Sequence, residues 1–304
     1  MFKDTYISKN QEVSIGLPYD VRLFVKREDE IDSFISGNKF RKLKYNVLEA
    51  ERIKAKVLIT FGGAFSNHIA AVARAGQVRG FATVGIIRGE ELASKIQGNP
   101  TLKYAQNCGM ELEFISRENY RQKDSAAFLQ ELNLKYNDVY IIPEGGTNDL
   151  AVKGCEEIVT PDDRTFDVIA CCVGTGGTIS GIINSSKPEQ LVLGFPALKG
   201  DFLKEEIRKF AQKDNWNLIA DYHFGGYAKV NRELIAFLNT FKKSTGIPLD
   251  PVYTGKMAFG IINLIKNGYF KKGSRILMIH TGGLQGIAGM NKQLKKRKLP
   301  LIDT

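Results

Sequence analysis

Residues 56–89 read KVLITFGGAFSNHIAAVARAGQVRGFATVGIIRG. A short apolar run, KVLITFGG (56–63), ends in two glycines. A stretch with helical spacing follows from Ser66, and FATVGIIRG (81–89) is a second apolar run. Strand, helix and strand in that order predict a βα unit and a parallel sheet.

The unit recurs along the chain. NPTLKYAQNCG reads as a helix, 111–116 as a strand, 118–136 as a helix, VYIIPEGG (139–146) as a strand and 149–159 as a helix. TPDDRTFD (160–167), polar and holding Pro161, reads as a boundary. Beyond it come a strand FDVIACCVG, a helix from Gly177, a strand QLVLGFPA, a helix from Asp201 and a strand LIADYHFGG (218–226). A helical stretch over 230–245, a helix from about Lys256, a strand SRILMIHTGG (274–283) and a last helix complete the chain. Toward the N-terminus, VRLFVKRED is another strand. Phe40, Leu43, Val47, Ala50 and Ile53 make 39–54 an amphipathic helix with Asn38 as its N-cap. The expected fold class is α/β, with two parallel-sheet domains and flanking helices. Residues 46–160 form the smaller, inserted domain; 1–45 plus 161–304 form the larger. A cleft between the two is the default ligand site.

Composition narrows the function. With 43% apolar and 25% charged residues, the 304-residue chain is globular rather than disordered. No apolar run reaches the length of a membrane span, and MFKDTYISKNQEV has no apolar signal segment, so a cytoplasmic protein is expected. The four cysteines, Cys108, Cys155, Cys171 and Cys172, make no C-x-x-C pair, and His68, His223 and His280 lie far apart. Neither pattern predicts a metal site. The net charge of +10 comes from scattered lysines. The dense run KQLKKRK (292–298) closes a helix, where cations suit the dipole. Nothing alternates basic and aromatic residues as a nucleic-acid surface would.

Several motifs fall where α/β sheets hold ligands. VGTGGTISG (173–181) ends a buried strand and opens a helix, a pattern whose backbone N–H groups suit a phosphate. It lacks the acidic residue after the next strand that a dinucleotide site wants, and the Gly-Lys of a P-loop. A single phosphate monoester fits. Ser66, Asn67 and His68 open a helix suited to a carboxylate, although helix capping explains them equally well. LDPVYTGKMAFG (249–260) presents Tyr253 and Thr254 before a helix, with Lys256 unassigned; MIHTGGLQG (278–286) ends a strand at Thr281. In ISGNKFRKLKYN (35–46), Lys39 stands at a helix start, against the dipole. Lys42 and Lys44 lie off the apolar stripe and read as surface charges. A lysine kept neutral forms a Schiff base with an aldehyde. An aldehyde with one phosphate is pyridoxal phosphate.

Together SGNKFRKL, SNH, PEGGTN, VGTGGT, DPVYTGKM and HTGG resemble the pyridoxal-phosphate enzymes of the D-cysteine desulfhydrase and 1-aminocyclopropane-1-carboxylate (ACC) deaminase family. The resemblance runs in order from about residue 20 to 285. It implies the tryptophan synthase β-like fold (pyridoxal-phosphate fold type II), a small amino-acid substrate and a homodimer. It further implies Lys39 as the Schiff-base lysine, Asn67 beside the cofactor's ring hydroxyl, and Gly174, Thr175, Gly176, Gly177 and Thr178 around its phosphate. Ser66 and His68 would hold the substrate carboxylate, with Ser66 near the reacting atoms. Tyr253 and Tyr227 would flank the substrate, with Thr254 and Thr281 toward the pyridine nitrogen. Phe65 departs from the polar residue the family carries before SNH. ACC deaminases resemble one another in a glutamate after the active tyrosine and a leucine in the final H-x-G-G. Here those positions are Thr254 and Thr281, which implies α,β-elimination from D-cysteine. ACC ring opening is the alternative, and a non-catalytic binding protein on the same scaffold a second one.

Overall fold

The structure is a computed structural model and describes residues 2, 6–32, 35–198, 200 and 202–303. The chain opens with β1 (Asn10–Glu12), β2 (Arg22–Lys26) and α1 (Asn38–Arg52). Next come β3 (Val57–Gly62), α2 (Asn67–Arg79), β4 (Ala82–Arg88), α3 (Pro100–Asn107) and β5 (Met110–Ile115). These are followed by α4 (Arg117–Arg121), α5 (Ala126–Lys135), β6 (Val139–Ile142) and α6 (Asp149–Glu156). The remainder is β7 (Val168–Val173), α7 (Gly177–Ser185), β8 (Leu191–Pro196), α8 (Phe202–Arg208), β9 (Trp216–Leu218), α9 (Arg232–Thr245), α10 (Thr254–Lys266), β10 (Arg275–Ile279) and α11 (Gly286–Lys296).

The strands form two sheets. One has the order β5-β4-β3-β6 and is parallel throughout. The other has the order β1-β2-β10-β7-β8-β9 and is parallel except where β1 meets β2. The near-continuous apolar runs of β3, β7 and β10 fit strands covered by helices on both faces. Residues before α1 thus share a sheet with β10, near the other end of the chain. Lys26 of β2 is buried with Asp163, its Nζ donating to the carboxylate at 2.7 Å.

Several elements differ from the sequence reading. The helix expected over 118–136 breaks into α4 and α5, because Ser125 caps a new helix start at Phe128 N. The strand expected over 218–226 stops at Leu218; the rest is irregular, with Phe224 in the left-handed region at φ 53°. Within 160–167, Pro161–Thr165 form a 3-10 turn closed by Asp163, which accepts from Thr160 N at 2.8 Å. The helix expected from Asp201 begins at Phe202, Asp201 lying outside the described residues. Helix α10 begins at Thr254, two residues ahead of Lys256.

The larger departure concerns α1. Lys42 and Lys44 are buried, not surface charges. The apolar stripe of α1 does enter a core, with Phe40, Leu43, Val47 and Ala50 all buried; only Ile53, at the C-terminal end, is exposed. The helix is covered on its polar side as well. Gly154 of α6 lies so close that a Cβ there would overlap the Arg41 carbonyl. Arg41 pairs with Glu28, and Lys44 with Glu157 at 2.7 Å. A buried cation needs such a partner.

Candidate active site

A cavity of about 440 Å³ opens where strand ends of both sheets meet. Its lining includes Lys39, Ser66, Asn67, His68, Gly174, Thr175, Gly176, Thr178, Tyr227, Tyr253 and Thr281, which the sequence reading singled out from distant motifs.

Lys39 reaches the cavity because of an unusual backbone crossing. Gly37 has φ 63°, and a Cβ on it would overlap the Thr281 carbonyl. Only glycine tolerates both conditions. Asn38 N donates to Thr281 O at 3.3 Å, which fixes the start of α1 against the end of β10. Asn38 is therefore the first helical residue and not the cap; Gly37 holds that position. The Asn38 side chain instead donates to Thr178 Oγ1 at 2.8 Å and accepts from Lys39 Nζ at 3.1 Å. Burial lowers the Lys39 pKa, favouring the neutral amine.

Helix ends supply the free donors of the cavity. Helix α2 starts at Asn67, and Ser66 caps it, accepting from Ile69 N at 3.3 Å. The N–H groups of Asn67 and His68 have no acceptor among the described residues. His68 is buried, and among the described residues neither ring nitrogen has a hydrogen-bond partner. Burial, then the charges of Lys39 and Lys42, drive its pKa well down, against a weak pull from the Pro143 carbonyl; the ring is neutral. Such orphaned polar atoms are costly unless a ligand meets them. On the other wall, β7 ends in the Gly174–Thr178 loop, and α7 starts with no side-chain cap at Gly176.

Lys42 completes that loop, and the sequence reading missed it. Its Nζ donates to Gly145 O at 2.8 Å, Thr147 Oγ1 at 2.9 Å and Thr175 Oγ1 at 3.3 Å. Burial and the neighbouring Lys39 push its pKa down to about 7. The available signal was its spacing: three positions after Lys39 it shares a helix face with it. A glycine loop, free helix N–H groups, threonine hydroxyls and a lysine form a donor set for a phosphate monoester. Arg88 and Cys172 also line the cavity and were not singled out from the sequence.

Two expected residues sit elsewhere. Thr254 does not line the cavity: it is buried, and its hydroxyl donates to Asp250 Oδ2 at 2.7 Å while accepting from Asp250 N. Gly177 lies behind the loop, against Thr147 and Lys42. Thr281 does face the cavity, its Oγ1 3.0 Å from Cys172 Sγ. Phe65 is exposed at the rim. The rings of Tyr227 and Tyr253 meet edge-on at 6.1 Å, and burial raises both pKa values. Lys256 holds the segment that carries Tyr227, donating to His223 O and Gly226 O at 2.8 Å each.

The family described as pyridoxal-phosphate dependent enzyme matches residues 14–282 of this chain. A mitochondrial bifunctional D-cysteine desulfhydrase/1-aminocyclopropane-1-carboxylate deaminase of Arabidopsis thaliana is 35% identical over 301 residues, covering 90% of this chain and 75% of its own. A 1-aminocyclopropane-1-carboxylate deaminase of Rhizobium rhizogenes is 29% identical, with 95% and 94% covered. A crystal structure described as an ACC deaminase homologue superposes with a TM-score of 0.79 at 27% identity, covering 96% of this chain and 94% of its own. The chain belongs to the pyridoxal-phosphate dependent enzymes, in the group that holds the D-cysteine desulfhydrases and ACC deaminases. Pyridoxal phosphate is its cofactor, and the relatives' names divide between the two activities.

Proposed function

We propose that the protein catalyses α,β-elimination from a small D-amino acid, converting D-cysteine and water to pyruvate, sulfide and ammonia. The observation that carries this reading is the chemistry at Thr281. Its hydroxyl has a thiol neighbour, Cys172. Glu144, the one carboxylate among the described lining residues, is drawn to Lys123 at 3.5 Å. A hydroxyl can bond a pyridine nitrogen without requiring it to be protonated; a carboxylate would keep the proton there. The weaker electron demand suits a substrate with an α-hydrogen better than a ring that has none.

Pyridoxal phosphate, when bound, supplies an aldehyde for an amine and a ring that draws electrons from the substrate's α-carbon. The protein does the rest. The Gly174–Thr178 loop and Lys42 receive the phosphate, and Asn67 meets the ring hydroxyl. Lys39 provides the amine that holds the cofactor and then accepts the α-proton, for which its neutral form is required. The first N–H groups of α2, with Ser66 and His68, hold the substrate carboxylate. Tyr253 and Tyr227 close the substrate side and exclude water, while the β-carbon to sulfur bond breaks and the thiolate leaves with the electron pair. The unpaired state of all four cysteines supports a reducing compartment; a homodimer is part of this reading on family resemblance alone.

The test is to give the purified holoenzyme D-cysteine, L-cysteine, D-serine and ACC, and to assay pyruvate and 2-oxobutyrate. Pyruvate should form fastest from D-cysteine, with no 2-oxobutyrate from ACC. Turnover of ACC without turnover of D-cysteine contradicts the proposal and leaves ring opening as the activity.

A further inference from the structure

The site described above gives the phosphate to Lys42 and the Gly174–Thr178 loop, and the α-carboxylate to the start of α2. One cation in the cleft is then left without an anion. Arg88 ends β4, is exposed, and lines the cavity. Its Nη2 lies 3.6 Å from where a Cβ on Gly63 would stand, beside the turn that leads into Ser66, Asn67 and His68. Its Cζ sits 5.5 Å over the Tyr120 ring, a stacking contact that gives the side chain a direction. Across the cleft, its charge is close enough to Tyr227 to oppose the rise in pKa that burial causes there. Among the described residues Arg88 makes no ion pair; Glu144, on the same cavity and near the same two tyrosines, Tyr120 and Tyr227, is paired with Lys123 instead. A guanidinium on a cavity wall, facing the substrate-side tyrosines and lacking a carboxylate, is suited to a planar or tetrahedral anion.

We propose that Arg88 binds a second anionic group on the substrate's side chain, so that the cleft selects small amino acids with an anionic β-substituent. This rests on the reading of the site given above, in which the α-carboxylate is held elsewhere. For a thiol substrate the same contact strengthens as the leaving sulfur takes up negative charge. ACC, whose ring carries no such group, leaves the guanidinium unmatched.

An isosteric pair isolates the charge. The holoenzyme is titrated with D-aspartate and with D-asparagine, and with their L-forms, following the near-visible cofactor band rather than turnover. Wild type should bind aspartate about ten- to a hundred-fold more tightly than asparagine in the hand it accepts, the range typical of a hydrogen bond to a charged group. The ratio should fall to near one in Arg88→Gln and recover in part in Arg88→Lys. Equal affinities in wild type overturn the proposal, as does a preference that survives in Arg88→Gln. Equal weakening of both ligands in Arg88→Gln also overturns it, because that result assigns Arg88 to the α-carboxylate. A band that neither ligand moves overturns it too. Pyruvate from D-cysteine, measured on the same preparation, separates the two readings. Its absence beside an intact aspartate preference rejects D-cysteine as substrate and supports Arg88. Its presence without the preference rejects Arg88 alone.

Discussion

Three lysines in the first two turns of α1 meet three different surroundings. Lys39 faces the cleft, Lys42 reaches the glycine loop, and Lys44 pairs with Glu157. Lys42 has the clearest measurable consequence. Buried with no carboxylate partner among the described residues, its amine has a pKa pushed down to about 7, against roughly 10.4 in an unfolded chain. Between these values the unfolded chain binds more protons, so raising the pH favours the fold. With the cofactor removed, wild type should therefore gain stability relative to Lys42→Met as the pH rises from 7 to 8.5, by up to about 1.4 kcal/mol per pH unit. Denaturant unfolding of both proteins across that window checks this; parallel curves contradict it. Lys39 was legible in the sequence because it breaks a local rule, a cation at a helix start. Lys42 was not, because apolar periodicity marks only the face that enters one core. It is silent about α6, which covers the opposite face from a hundred residues away.

Elements place these side chains by a few close approaches. The parallel strands and most helices were legible as apolar runs and helical spacing. The break between α4 and α5 and the irregular segment after Leu218 were not, since capping and tertiary anchoring decide them. The crossing of Gly37 over Thr281 was equally invisible, although both glycine-bearing motifs had been noted. It ties the start of α1 to the end of β10, and so sets where Lys39 stands. Gly37→Ala should keep the far-ultraviolet dichroism of the fold while lowering kcat by about a hundredfold, the usual cost of displacing a reacting group by an ångström. A variant with wild-type kcat shows that the crossing does not position Lys39.

At the scale of the molecule, neither sheet holds a complete site. Ser66, Asn67 and His68 come from the β3–α2 turn of one sheet, while the Gly174–Thr178 loop, Tyr253 and Thr281 belong to the other. Six motifs in collinear order made the family legible from sequence, and four of them, SNH, PEGGTN, VGTGGT and HTGG, end or directly follow a strand at the cleft. Thr254 was misjudged because proximity in sequence to Tyr253 hid its saturation by Asp250. Of the three lysines whose pKa is lowered, Lys39, Lys42 and Lys256, it is Lys39 that we propose holds the cofactor. Borohydride reduction of the holoenzyme followed by peptide mapping tests it most directly. The reduced adduct is predicted on Lys39, with the near-visible band lost in Lys39→Ala. An adduct on Lys42 or Lys256, or an unchanged band in Lys39→Ala, would contradict the account.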